Sequence, residues 1–196
     1  MSDPYAQAEA ICIDDGCCAD LETFKSIVDS LTRVIVLLQS SRCAPREVLD
    51  RIVNKLVLSK RAVLNAINSL EAVIRGADIS NRDGESALNS LLNIATRLIE
   101  CRNDVNESKD DVSQFRCGDE IQSVLSSLSN QIDANLIVVL ALILVIASRV
   151  KVDYRLSGRL SSIAASALFS SLMSIYIDSV QEKFSKCFSR KIKLLK

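Results

Sequence analysis

The sequence predicts an all-α fold, a bundle of about five helices built around one fully apolar helix. Three observations carry that reading. Breakers are scarce, with five Gly and two Pro in 196 residues. The apolar content, 48% of the chain, is aliphatic rather than aromatic, since Phe, Trp and Tyr together make up only 4%. Apolar positions also recur at steps of three, four and seven, the spacing that gathers side chains on one helical face.

The first helix is expected from Leu21 to Gln39. Asp20 can cap it, and Leu21, Phe24, Ile27, Leu31, Val34 and Leu38 share a face. "SSRCAP" ends it. Pro45, well suited to a first turn, opens the second helix, which runs to Arg75 with Gly76 as its stop. Here Leu49, Leu56, Val63 and Leu70 repeat every seven residues, and Ile52, Val53, Ile67, Val73 and Ile74 widen the stripe to bundle-core width. A third helix begins near Asp83 to Glu85, carrying Leu91, Leu98, Val105 and Val112. The polar stretch "CRNDVNESKDDVSQFRCGDE" is expected to fray it, with Gly118 a stop and Asp119 a cap for the next.

The fourth helix, Glu120 to Val150, holds the most informative segment. Fifteen uncharged residues lie between Asp133 and Arg149, twelve of them, Leu136 to Ala147, aliphatic without interruption. At 1.5 Å per residue the uncharged run covers about 22 Å, short of the ~30 Å of a hydrocarbon core. A helix apolar all round also suits the interior of a bundle, with neighbours on every side. Leu136, Val139, Leu140, Ile143 and Ile146 are therefore the expected core residues, with Val139, Leu140 and Ile143 almost wholly buried. The fifth helix starts near Arg159, and Ser162, Ser166, Ser170 and Ser174 form a small-residue row along it. The uncharged run Leu160 to Ile177 contains six Ser, which weakens it as a lipid-facing span.

By segment, residues 1–19 read as a flexible acidic N-terminal piece, 20–180 as the bundle, and 181–196 as a basic amphipathic C-terminal helix or tail. Basic and acidic residues balance at 24 each, so the broad positive field expected of a nucleic-acid binder is missing. The charge is nevertheless polarised. Residues 1–22 hold six acids and no Lys or Arg, whereas residues 181–196 hold six bases against Glu182.

That tail is the strongest functional signal. Lys183, Lys186, Arg190, Lys191 and Lys193 sit beside Phe184 and Phe188, the pattern of a contact for an anionic surface. The acidic head of a second copy would complement it.

There is no histidine, which removes the commonest general base. No glycine-rich phosphate loop is present. The segment "IDDGCC" could offer Asp14, Asp15, Cys17 and Cys18 to a metal, but no second cysteine pair stands at zinc spacing, and an ordinary turn is the expectation. Hence no enzyme, no cofactor and no metal are expected.

Seven cysteines, Cys12, Cys17, Cys18, Cys43, Cys101, Cys117 and Cys187, follow an N-terminus without the basic and apolar regions of a signal peptide. An intracellular location follows as the expectation, with most thiols free and Cys101 and Cys117 able to pair in an oxidising setting. The function expected is that of a non-enzymatic structural or interaction protein, a subunit of a larger assembly or shell, with protein partners including copies of itself. The competing expectation is a membrane-associated or membrane-inserting protein using residues 134–150 and the tail.

Overall fold

The computed structural model describes residues 10–14, 17–75, 83–147, 158–163 and 187. A hairpin of β1 (Ala10–Asp14) and β2 (Cys17–Asp20) leads into four long helices: α1 (Leu21–Ser40), α2 (Arg46–Arg75), α3 (Asp83–Gln114) and α4 (Asp119–Ala147). A further helical segment, α5, is seen over 158–163. The fold is an all-α bundle with one long apolar helix and two short strands. Each helix packs on the next, and α4 closes the ring by packing on α1.

Local chemistry explains the boundaries. The Asp20 carboxylate accepts from the Thr23 backbone N–H at 2.7 Å, satisfying one of the free donors that begin α1. Pro45 precedes α2, and its carbonyl accepts from the amides of Val48 and Leu49. At the end of α3 the chain turns through positive φ at Arg116 (51°) and Gly118 (79°) while the Cys117 N–H reaches back to the Val112 carbonyl at 3.4 Å. This left-handed exit is what glycine permits at low cost.

The core is built from one stripe per helix. Phe24, Ile27, Leu31, Val34 and Leu38 of α1 meet Leu49, Ile52, Leu56, Val63 and Leu70 of α2, with Leu88, Leu91, Leu98 and Val105 of α3 and Leu125, Leu128, Ile132 and Val139 of α4 completing it.

Three expectations are corrected. First, α3 does not fray after residue 100 but continues to Gln114. Its buried stripe simply changes composition: Leu98, Cys101, Val105, Ser108 and Val112 keep the steps of three and four, and all are buried. The Ser108 hydroxyl is satisfied by the Asp104 carbonyl at 2.7 Å, so a small polar residue can occupy a core position.

Second, residues 10–14 and 17–19 are not loose. They pair antiparallel, Ala10 with Asp20, Ile11 with Ala19 and Cys12 with Cys18, with a bulge before Asp14 meets Cys17. Strand alternation turns Cys17 and Ala19 into the core and leaves Cys18 and Asp20 half-buried.

Third, six of the seven cysteines are bonded: Cys12–Cys18, Cys17–Cys187 and Cys43–Cys117. Cys101, expected as a partner for Cys117, is the free and buried one. The expectation of mostly free thiols rested on the missing export signal. It is overturned by folding, which brings together residues separated by up to 170 positions.

Candidate interaction surface and its supporting braces

Polar side chains tie the helices together at matched heights. Between α2 and α3, Arg51 faces Asp111 (3.9 Å), Lys55 pairs with Glu107, and the Ser59 hydroxyl donates to Asp104 at 2.6 Å. Positions 51, 55 and 59 climb α2 by four while 111, 107 and 104 descend α3, as antiparallel helices require. The hydrogen bond from Lys55, and then its charge, hold Glu107 below the usual carboxylate range. Beside this ladder, burial and then the Asp104 charge push the Cys101 thiol up to about 12, against the opposing effect of the Ser59 hydroxyl.

A second set fixes α4. Thr23 Oγ1 on α1 donates to Asn135 Oδ1 (2.8 Å), Ser30 to Gln131 (3.1 Å), and Arg33 pairs with Glu120 (2.8 Å). From α3, Asn106 accepts from Ser129 at 3.1 Å and Arg102 forms a buried ion pair with Asp133. Residues 129–135 thus form a polar belt on α4, engaged on both sides, immediately before its apolar run.

Above that belt the apolar run is mostly covered. Leu136, Val139, Ile143 and Ile146 are buried as expected. Leu140 is not almost wholly buried: it is half-buried against the edge of the core, and Leu144, one turn on, is 55% exposed. The reason is the ring geometry: among the described elements α1, α3 and the hairpin pack on α4, and they cover this side of it less than the others. By length and composition Asp119–Ala147 could cross a membrane, and 61% of its apolar window is buried within the bundle.

Along the α2–α3 groove, Asn65, Ser69, Asn93, Thr96, Arg97 and Glu100 line a cavity of about 340 Å³. Arg159 of α5 enters it, donating from Nη1 to Asn89 Oδ1 (3.0 Å) and from Nη2 to Asn93 Oδ1 (2.7 Å). Two amide oxygens one helical turn apart therefore dock α5 on α3. Among the described residues no three Cys, Asp or Glu side chains converge as a metal site would need.

The tail residues Lys183, Phe184, Lys186, Phe188, Arg190, Lys191 and Lys193 lie outside the described residues. Within that stretch Cys187 is described, 2% exposed and bonded to Cys17. The structure also assigns the adjacent cysteines their separate roles. Successive strand residues face opposite ways, so Cys17 bonds inward to Cys187 while Cys18 bonds across the hairpin to Cys12. Neither the braces nor the disulfides were picked out from sequence. The signal for the hairpin was Asp15–Gly16, a dipeptide that favours two-residue turns, after the apolar alternation of Ile11 and Ile13.

No family model, no curated protein and no solved structure matches this chain.

Proposed function

We propose that the chain is a non-enzymatic structural and interaction protein, a disulfide-braced helical subunit of a larger protein assembly. The observation that carries this reading is the exposed Leu144, with half-buried Leu140 one turn before it, on an apolar helix that is mostly buried in the bundle. Apolar side chains presented on a folded helix suit a protein neighbour, because burying them on association removes apolar area from water. The sequence supports the same reading, since it lacks histidine and its polarised termini suit contact between copies.

The second reading, insertion of α4 into a membrane, is favoured by the composition of that helix. The polar belt weighs against it. Among the described residues Leu136–Ala147 follow Asn135 on α4, and twelve helical residues reach about 18 Å against a hydrocarbon thickness of ~30 Å. Insertion of a longer piece would expose Asp133 and break its pair with Arg102.

The test is sedimentation of the full chain prepared without detergent, beside the Leu144→Glu variant. The assembly reading expects a discrete soluble oligomer that Leu144→Glu dissociates without lowering the melting temperature. A soluble monomer indifferent to the substitution overturns it. Recovery only with detergent supports the membrane reading, and in that case anionic vesicles should retain the chain in a salt-dependent way that Lys186, Arg190 and Lys191 changed to Glu abolish.

A further inference from the structure

We infer that the hairpin is an ordered redox latch: the Cys12–Cys18 disulfide guards Cys17–Cys187, and only its reduction opens the way to the second bond. The inference stands independently of the assembly reading. It rests on how one short strand divides two bonds between two environments.

Cys12 is exposed and Cys18 half-buried. Cys18 also lines a cavity of about 260 Å³ with Thr23, Ser26, Gln131, Ala134, Asn135 and Val138, which leaves space at its side chain. Cys17, its immediate neighbour, is 0% exposed, and its partner Cys187 is 2% exposed. Thiol–disulfide exchange needs a thiolate to reach a sulfur, so access decides which bond reacts first. A dithiol in solution can approach Cys12 and has no approach to Cys17.

The guard works through the strand pairing. Cys12 and Cys18 face one another in the register, so their bond staples β1 to β2 at the middle of the ladder. A two-stranded hairpin of four or five residues per strand is marginal in isolation. Without the staple the strands can part, and Cys17 loses the pairing that holds β2 against the core.

Each step balances as ordinary exchange. A thiolate of the dithiol attacks Cys12 Sγ, forming a mixed disulfide and expelling the Cys18 thiolate, which takes up a proton. The second thiol of the reductant, as its thiolate, attacks its own half of the mixed disulfide, and Cys12 departs as a thiolate that is likewise protonated. The protein bond is reduced by two electrons and the dithiol becomes a disulfide. Repetition at Cys17–Cys187 cuts the covalent tie between the hairpin and the basic segment that surrounds Cys187.

The experiment uses the oxidised full chain, titrated in time with dithiothreitol, trapped with N-ethylmaleimide and mapped by mass spectrometry. Cys12 and Cys18 should be labelled first, with Cys17 and Cys187 following after a lag. Simultaneous labelling, or Cys17 and Cys187 ahead, overturns the inference. In the Cys12→Ser, Cys18→Ser double variant the lag should vanish and reduction of Cys17–Cys187 should speed up by roughly tenfold, because access to a buried bond follows local opening. An unchanged rate also overturns it. Reduction of Cys43–Cys117, at the other end of the bundle, reports whether the variant is folded: its rate should match the parent. If the variant does not fold, the labelling order in the parent chain decides alone.

Discussion

Arg102 on α3 and Asp133 on α4 form a buried ion pair at the height where α4 changes from amphipathic to apolar. Their side chains are 9% and 6% exposed, so each charge relies on protein rather than water for compensation. Asp133→Ala leaves the guanidinium buried without its carboxylate, and unfolding by urea should show a loss of about 3–5 kcal/mol. Replacing both partners, Arg102→Met with Asp133→Leu, should recover most of that loss, because two apolar side chains of similar bulk carry no desolvation penalty. A double variant as unstable as Asp133→Ala would contradict this account of the pair.

The uneven cover on α4 gives a graded series. Leu136→Ala, in the enclosed part of the run, should cost about 2–5 kcal/mol through lost contacts and the cavity left behind. Leu140→Ala should cost clearly less, and Leu144→Ala should fall within about 0.5 kcal/mol of the parent. Thermal melting in monomeric conditions separates the three. Equal losses at all three positions would mean that Leu140 and Leu144 are covered after all.

Cys43–Cys117 joins the α1–α2 connection to the α3–α4 connection, across a separation of 74 residues. Closing a loop of that size lowers the entropy of the unfolded chain, and the double Ser variant should be less stable by about 4 kcal/mol. Cys12–Cys18 closes a separation of only six and should contribute less on the same basis. Paired denaturation curves in oxidising buffer test the ranking.

Cys101 gives the pH dependence its sign. The thiol is raised in the folded chain from 9.0 to about 12, so the folded protein holds this proton more tightly than the unfolded one. Its contribution is therefore fully present below about pH 9 and is lost as pH rises towards 12. Each unit corresponds to about 1.4 kcal/mol, so the whole span amounts to a few kcal/mol at most. Cys101→Ala should flatten this part of the stability profile between pH 9 and pH 11, measured as a difference from the parent. Parallel profiles would show that the thiol does not contribute.

Much of the bundle was legible because its signals are local. Asp20, Pro45 and Gly118 act where they stand, and the heptad steps of α2 need no knowledge of what they pack against. Leu136, Val139, Ile143 and Ile146 were recognisable as core from the length of the apolar run alone. The misses have one physical origin. Cys101 and Ser108 are buried in the α3 stripe but do not look apolar enough to extend a hydropathy pattern, so the helix seemed to end early. The disulfides depend on which chain segments meet, as with Cys17 and Cys187, and spacing along the chain says nothing of that. Leu140 and Leu144 read the same as Leu136 in sequence; only the placement of α1, α3 and the hairpin distinguishes them.

The bond between Cys17 and Cys187 has a mechanical consequence. All four long helices lie between these residues, inside a single covalent ring. Tension applied at the two ends of the chain would pass from residue 17 to residue 187 through sulfur and never load the helices. A protease that cuts once inside the ring, between α2 and α3 for instance, would nick the molecule without parting it. Pulled from either side of the ring in an oxidising medium, the chain should lengthen only outside residues 17–187; after reduction, the same pull should unravel the helices.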